Sequence, residues 1–271
     1  MDNATLIHGM PWEMYAKPEW LGSSALDAFP GMSVEAWSKE YLEKGYSKSA
    51  TTSMGLGTAL DARVTDPAEF EKKVAIRPVG LDGRTKEGKA WIVENALKSI
   101  ITEAEFEEVK AGERFAKEAI KILSHGGKVV RYQSSMRGNI EGLAVQTRPD
   151  IYIEDDAETV HMVDLKYVNS KNFDNFDREF FRGRYRIQAG LFSALHFLAV
   201  PSVRVRISFL IVESGTLDPR CQVREIPAGA ISSAEEFVRK RCREIKEKKE
   251  EGLVERVQFA MLEVPAWAEN L

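Results

Sequence analysis

The chain has 271 residues, of which 44% are hydrophobic and 30% are charged, and its formal net charge is -4. This composition is typical of a soluble globular protein with one large core, and it excludes a protein that coats nucleic acid through a strong positive charge. Cys221 and Cys242 are the only 2 cysteines, which excludes a disulfide framework. No stretch is apolar enough to span a membrane, and the first residues lack an export signal. We therefore expect a cytoplasmic protein without a membrane partner.

The first 50 residues predict short helices ahead of the main domain. Residues 1–18 have no clear hydrophobic period, and Ser33 is placed to cap a helix that ends near Lys44. Four aromatic side chains of this region could pack in the core or stack on nucleic-acid bases, and packing is the commoner role of such rings. They are Trp12, Tyr15, Trp20 and Trp37.

A helix is predicted over residues 54–65 from the spacing of its apolar residues. Gly57 and Asp61 lie one turn apart on this helix, so they share a face. Because Gly57 has no side chain, that face could lie close to a sheet, with Asp61 beside any acidic centre there.

Residues 83–89 have the G-x-x-x-x-G-K spacing of a phosphate-binding loop, but Ala90 lacks the hydroxyl group that such a loop uses to bind Mg²⁺. We therefore exclude nucleotide binding here. The basic side chains of the segment either contact DNA phosphates or lie in a solvated loop ahead of a helix that starts at Thr85. They are Arg84, Lys86 and Lys89.

A capping-box pattern at residues 102–105 predicts a long helix that ends at Gly126-Gly127. Residues 128–136 then predict a strand, a turn is predicted at 137–139, and residues 140–153 predict a second strand. A short acidic turn leads from there into a third strand, so the second and third strands are expected to form a hairpin.

The third strand carries His161-Met162-Val163-Asp164-Leu165-Lys166, and the alternation of a strand places Asp164 and Lys166 on one face. Antiparallel pairing can bring Asp150 of the preceding strand close to both. Two carboxylates and an ammonium group at the end of a sheet suit Mg²⁺ or Mn²⁺ and the hydrolysis of a phosphodiester. The alternative is that all three are solvated charges at strand ends.

Residues 167–184 predict a long functional loop. Its arginines alternate with aromatic residues, which is typical of a nucleic-acid contact, although salt bridges with Asp174, Asp177 and Glu179 are the alternative. The arginines are Arg178, Arg182, Arg184 and Arg186. The remaining predicted elements are a helix over 185–199, strands over 203–212 and 221–226, and a final helix capped by Ser233.

Arg148-Pro149-Asp150 followed by Asp164-Leu165-Lys166 resembles the signature of the PD-(D/E)XK nuclease superfamily. Further stretches make the chain similar to the exodeoxyribonuclease VIII (RecE-type) branch of phage and prophage exonucleases. These stretches are Leu56-Gly57-Thr58-Ala59-Leu60-Asp61, Asp66-Pro67-Ala68-Glu69-Phe70, Arg84-Thr85-Lys86-Glu87-Gly88-Lys89, Tyr185-Arg186-Ile187-Gln188-Ala189 and Val264-Pro265-Ala266-Trp267-Ala268. The resemblance covers nearly the whole chain.

The resemblance implies an α/β (α+β) fold with a restriction-endonuclease-like αβββαβ core, in which a mixed sheet is flanked by helices. It implies a single domain over residues 1–271. Within that domain we expect lead-in helices over 1–50, a catalytic core over 51–226, and a C-terminal helix and tail over 227–271.

The resemblance also implies a metal-dependent exonuclease that degrades double-stranded DNA from 5′ ends in recombination. The expected partners are DNA ends, a single-strand annealing recombination protein, and further copies of the chain in a ring around the DNA. The positions that match the family's motifs carry the implied roles. These are Asp150 and Asp164 as ligands of Mg²⁺ (or Mn²⁺) with the Leu165 carbonyl, Lys166 as the group that assists the attacking water, Gln188 as an orienting group, and Arg148 as a DNA contact.

Three positions depart from the family's pattern. Asp61 stands where a metal-binding histidine is usual, Gln133 stands where a metal-binding glutamate is usual, and Phe192 replaces a tyrosine. Aspartate suits Mg²⁺ at least as well as histidine, whereas glutamine offers a carbonyl oxygen without charge. Both remain candidate ligands. Two alternative functions stay open, a DNA-binding module with a weakened or inactive nuclease centre and an endonuclease of the same fold.

Overall fold

The computed structural model describes residues 2–43, 52–125 and 128–251. Two sequence predictions, the helix end at Gly126-Gly127 and the motif at 264–268, lie outside these ranges. Within the ranges, no helix combines the length and the apolarity that crossing a bilayer requires.

The elements are numbered in chain order. The strands are β1 (Asn3–Ile7), β2 (Val74–Arg77), β3 (Ser99–Thr102), β4 (Val129–Tyr132), β5 (Ser135–Ile140), β6 (Leu143–Thr147), β7 (Ile151–Glu154), β8 (Thr159–Val168), β9 (Arg204–Glu213) and β10 (Cys221–Glu225). The helices are α1 (Trp12–Tyr15), α2 (Ser23–Ala28), α3 (Val34–Ser38), α4 (Thr52–Thr65), α5 (Phe70–Lys73), α6 (Lys86–Glu94), α7 (Glu103–Leu123), α8 (Ser170–Asp174), α9 (Phe176–Arg182), α10 (Arg184–Ala199) and α11 (Ala228–Glu251).

A five-stranded sheet in the order β10-β9-β8-β7-β4 forms the centre of the fold. Strands β8 and β9 run parallel and the other neighbouring pairs run antiparallel, so the sheet is mixed. Helices cover both faces, because Met162 and Phe209 pack on the side of α10 while Val163 and Leu210 pack on the side of α4 and α7. The predicted fold class, a mixed sheet flanked by helices, is confirmed.

One long hairpin forms β4 to β7, and it is shared between two sheets. At the base of the hairpin, β4 is paired with β7 inside the central sheet. At its tip, β5 is paired with β6 in a three-stranded sheet that also contains β1. The register is the same in both halves, with Tyr132 opposite Ile151 and Met136 opposite Thr147. The hairpin therefore bends between these two pairs.

The bend corrects two sequence predictions, since the strands expected over 128–136 and 140–153 are each broken in two. Gln133 has a left-handed φ of 50°, and Pro149 has no N–H to donate to a neighbouring strand. The apolar residues on the two sides of each break keep the same phase, as Tyr132 and Met136 do, so a pattern of period two does not reveal the breaks.

Residues 1–18 contain a strand that the sequence did not predict. Strand β1 pairs antiparallel with β5, and its five residues alternate only between exposed and partly buried. Such a short, weak alternation is hard to detect without its distant partner. Strand β5 also runs through 137–139, so the turn predicted there is wrong and lies instead at Glu141-Gly142, where both φ angles are positive.

The region after β8 is helical, so the long loop predicted over 167–184 is wrong. Asn169 caps α8 by accepting a hydrogen bond from the amide three residues on, at 2.9 Å. Phe173, Phe176 and Phe180 are buried at helical spacing and fix α8 and α9 against the core. The many polar residues between these rings conceal the helical period.

The last helix starts earlier than predicted. The amides of Ala230 and Ile231 donate to the Pro227 carbonyl at 2.9 and 3.1 Å, so α11 is already formed there. Ser233, the predicted cap, lies inside the helix.

Close packing at a glycine occurs on α10, whereas the face of Gly57 on α4 is open. A Cβ at Gly57 would meet no atom within 4 Å, so the close approach predicted for that face is wrong. A Cβ at Gly190 of α10 would lie 2.4 Å from the carbonyl oxygen of Ala234 in α11. Gly190 therefore sets the distance at which α11 covers α10.

Gly190→Ala is expected to lower the melting temperature by several degrees, because α11 must move away from α10 to remove a clash with backbone. Gly57→Ala is the matched control, with the same change in a helix but open space around it. It should leave stability unchanged or raise it by up to about 1 kcal/mol, since alanine favours helix. Thermal unfolding followed by circular dichroism measures both, and equal effects would contradict the packing described.

Candidate active site

The bend of the hairpin places Asp150 beside β8. Strand β7 pairs with β8 up to Ile151, and the same register beyond it sets Asp150 opposite Asp164 and Pro149 opposite Leu165. Because the hairpin turns away at this point, β8 continues without β7 as its neighbour. The predicted approach of Asp150 to Asp164 follows from this geometry.

On that edge of β8 the backbone N–H of Leu165 has a side chain, and not a neighbouring strand, as its hydrogen-bond partner. This N–H donates to Asp150 Oδ2 at 2.7 Å. The carbonyl of a strand residue leaves on the same edge as its N–H, and Pro149 opposite has no N–H to offer it. The Asp150 carboxylate and the Leu165 carbonyl thus lie on the same edge of β8.

Asp164 is 1% exposed and is bonded to Lys166 and Gln188. Gln188 Nε2 donates to Asp164 Oδ1, and Lys166 forms an ion pair with Asp164 Oδ2. Lys166 Nζ also donates to Gln188 Oε1 at 3.0 Å and lies 5.2 Å from the ring centroid of Tyr185. These three side chains, which the sequence predicted as catalytic, form one bonded unit.

Asp61 reaches the same region from α4 through Gln133 and Thr65. Gln133 Nε2 donates to Asp61 Oδ2 at 3.1 Å and to Thr65 Oγ1 at 3.0 Å. The Gln133 N–H donates to the Asp150 carbonyl at 2.8 Å, so this residue joins α4 to the bend. Its amide nitrogen is engaged, and only Oε1 remains for the predicted role as a metal ligand. Thr65 was not predicted as a residue of this site, although it lies one helical turn after Asp61 and therefore on the same face of α4.

The carboxyl groups of Asp61, Asp150 and Asp164 are buried from solvent and repel one another when they are ionised. Burial raises the pKa of Asp150 well above its usual range, and the charges of Asp164 and Asp61 raise it further. Burial also raises the pKa of Asp61 and that of Asp164, and for Asp164 the main opposing effect is the charge of Lys166. One ammonium group does not balance three ionised carboxylates, and a bound cation would relieve the excess charge.

The donor atoms fit a hard divalent ion. Mg²⁺ is typically held by one or two carboxylates, with waters and substrate phosphates as its other ligands. Asp150 and Asp164, with the Leu165 carbonyl, supply oxygen donors of this kind. Across the described ranges, no three histidine, cysteine, aspartate or glutamate side chains converge as a metal-binding group. The role of Asp61 as a further ligand therefore stays a prediction.

Arg182 and Arg184 lie at the edge of the site. Arg184 is exposed and close enough to Asp164 for their charges to interact, while Arg182 pairs with Glu179 at 3.1 Å. Both line a cavity of about 290 Å³ together with Tyr185, whose ring also faces Lys166. Arg178 is exposed on α9.

Two other arginines predicted to contact DNA connect parts of the fold. Arg148 donates to the Met10 carbonyl, and its guanidinium carbon lies 4.6 Å from the ring centroid of Tyr15. Arg148 thus fastens the N-terminal segment to the bend. Arg186 donates to Ser233 Oγ of α11 at 2.7 Å. Neither contact could be predicted from local sequence patterns, because both partners are distant along the chain.

The basic residues around α6 form a separate group. Thr85 caps α6 by accepting a hydrogen bond from the Gly88 amide at 3.0 Å, so the helix start predicted there is confirmed. Arg84 pairs with Asp82 at 2.8 Å, and Lys86 and Lys89 are exposed on the helix. DNA binding by these three basic residues stays a prediction.

No protein-family model and no curated protein matches this chain. Among solved structures, it is similar to a protein of Eubacterium rectale described as a "putative exonuclease", with a TM-score of 0.62, 16% identity, and 95% of this chain and 96% of that chain covered. A protein of Vibrio cholerae, VC1899, aligns with a TM-score of 0.26 and 12% identity over 91% of this chain and 59% of that chain. The first similarity shows that the two chains share a fold.

The raised pKa values of the carboxyl groups predict that their contribution to the stability of the metal-free protein falls as the pH rises from about 4, the ordinary aspartate pKa. A raised pKa in the folded state means that folding favours the proton, so stability falls as the pH rises through that pKa. Mg²⁺ competes with those protons and should raise the melting temperature more at about pH 8 than at about pH 6.5. Thermal unfolding with and without Mg²⁺ tests both expectations.

Asp150→Asn is the comparison for this experiment, because it should reduce both the pH dependence and the shift caused by Mg²⁺. Buried His161 and His196, whose pKa values are lowered to about 4, act in the opposite direction below about pH 6.5. Their contribution cancels in the difference between the two proteins. A shift with Mg²⁺ that is as large in Asp150→Asn as in the native protein would show that the ion binds elsewhere.

Proposed function

We propose that this protein is a metal-dependent deoxyribonuclease that degrades duplex DNA from an end. The observation that carries the proposal is the bonded unit of Asp164, Lys166 and Gln188, with Asp150 held against it by the Leu165 amide. Its crowded carboxyl groups create the need for a cation, and the neighbouring arginines suit a polyanionic substrate. The fold shared with the Eubacterium rectale protein agrees with this proposal.

The roles of the side chains follow from their contacts. Asp150, Asp164 and the Leu165 carbonyl would hold Mg²⁺ or Mn²⁺, which polarises a phosphodiester and lowers the pKa of water. Lys166 is fixed by Asp164 and by Gln188 Oε1, so its ammonium group can orient the attacking water or balance charge that develops on the phosphate. Gln188 bonds to both neighbours and keeps them in one arrangement.

Arg184, in the cavity beside Lys166 that Asp27 and Glu179 also line, supports a path for the DNA backbone. Arg184 is exposed there, and Tyr185 connects the cavity to the Lys166 ammonium. Contacts with phosphates position a nucleic acid without reading its sequence, as an enzyme that degrades DNA of any sequence requires. Arg182 and Arg184 are thus proposed to hold phosphates next to the bond that is cut.

The finer parts of the proposal rest on the resemblance of the sequence to RecE-type exonucleases. They are attack from the 5′ end, cooperation with a single-strand annealing protein in recombination, and a ring of several copies around the DNA. The rival proposal, a DNA-binding module with a weakened centre, is favoured by the position of Gln133, which brings no charge to the site and gives its amide nitrogen to Asp61.

Asp164→Asn is expected to lower the release of acid-soluble nucleotides from linear duplex DNA with Mg²⁺ by at least about 100-fold, because one charge of the metal-binding pair is lost. Asp218→Asn changes an exposed aspartate in the loop before β10 and should retain full activity. Separate 5′ and 3′ end labels show which end is lost first.

The outcomes of this assay separate the rival functions. Early loss of the 5′ label supports the proposed polarity, and cleavage of covalently closed circular DNA would indicate an endonuclease. Binding of DNA without digestion, with either Mg²⁺ or Mn²⁺, would favour the binding module. Full activity in Asp164→Asn would show that the centre lies elsewhere.

Arg184→Ala is expected to weaken duplex binding and to reduce the salt dependence of binding by roughly one phosphate contact. Arg204→Ala is the matched control, because Arg204 is equally an exposed arginine but pairs with Thr159 at the opposite end of β8. Fluorescence anisotropy over a series of salt concentrations measures the slope. Equal slopes for the two variants would contradict the proposed path.

A further inference from the structure

A cleft of about 440 Å³ opens beside Gln133 and Thr65, two side chains that bond to the Asp61 carboxylate, and the chemistry proposed above does not use it. Gln133 and Thr65 form part of its wall, and they are hydrogen-bonded to each other as well as to Asp61. Trp12 and Tyr132 contribute aromatic rings to the same cleft. Its volume is in the range of sites for small ligands, so it can admit about one nucleotide unit.

Trp12 lines this cleft, and the guanidinium carbon of Arg148 lies 6.0 Å from its ring centroid. Its side chain is 59% exposed and its ring centroid lies 5.6 Å from that of Tyr15. The backbone around it is fixed, because Arg148 donates to the Met10 carbonyl and Arg137 donates to the Tyr15 carbonyl at 3.1 Å. An aromatic residue that is held in place and still more than half exposed loses little entropy when a ligand stacks on it.

The charges of the cleft indicate what kind of ligand it takes. Basic and acidic side chains are equally represented in its lining, so the cleft offers a ligand no net positive charge. Stacking on aromatic rings does not depend on such a charge and suits unpaired bases. The charged lining residues are Lys72, Lys73, Arg148, Glu13, Asp66 and Glu69.

We propose that this cleft binds the base of an unpaired nucleotide in the strand being cut, with Trp12 as the stacking surface and Tyr132 as a second ring. The inference rests on the proposed nuclease function and adds a requirement to it. At least one base pair must be open next to the carboxyl groups before the strand is cut. Trp12 is a binding residue in this scheme and takes no part in the hydrolysis.

The test uses single-stranded oligonucleotides with hydrolysis-resistant phosphorothioate linkages and the fluorescent base 2-aminopurine at one position in each. Trp12→Ala should weaken binding of the single strand by roughly tenfold, since one stacked base is lost. It should also remove the quenching of 2-aminopurine at the position that occupies the cleft. Trp12→Phe keeps a ring and should restore most of both signals.

Phe197→Ala is the matched control, because Phe197 is 58% exposed on α10 and does not line the cleft. It should bind and quench like the native protein. Unchanged binding and quenching in Trp12→Ala, or an equal loss in Phe197→Ala, would overturn the inference. If the native protein digests DNA in that case, the proposed function stands without it; if the native protein neither binds nor digests DNA, the proposed function itself fails.

Discussion

The site depends on the end of one backbone ladder. Pro149 cannot donate a hydrogen bond to β8, and the hairpin turns away from the central sheet where it stands. The amide of Leu165 is then satisfied by the Asp150 carboxylate, at 2.7 Å, in place of a neighbouring strand. A gap in a sheet would ordinarily cost the free energy of unpaired buried groups. Here the gap is closed by a side chain, and the same closure brings two carboxyl groups together.

The bend of the hairpin and the end of β8, which lie on either side of this gap, are held by different partners. Gln133 connects the bend to α4 through Asp61, whereas Gln188 connects Asp164 and Lys166 to α10. Helix α10 is in turn covered by α11, at a distance that Gly190 sets. The carboxyl groups therefore lie between helices from both faces of the sheet. Such bracing from both sides can hold like charges close together although they repel one another.

Local pattern was sufficient for part of this site. A period of two places Asp164 and Lys166 on one face, and it does so whatever the strand pairs with. The same rule does not predict the breaks at Gln133 and Pro149, because the apolar residues before and after each break keep the same phase. Strand β1 and the contact of Arg148 with the N-terminal segment depend on partners more than 100 residues away, since β1 pairs with β5 from Asn3 opposite Asn139. No local pattern contains that information.

The pairing of β1 with β5 has a consequence for the synthesis of the chain. Asn3 leaves the ribosome long before its partner Asn139, so β1 has no strand to pair with until β5 has been made. The Gln188 side chain appears later still, and α11 is needed to cover the helix that carries it. Contacts between such distant segments form slowly and late. A nascent chain therefore lacks partners that hold this group of carboxyl side chains in place until α11 has been made.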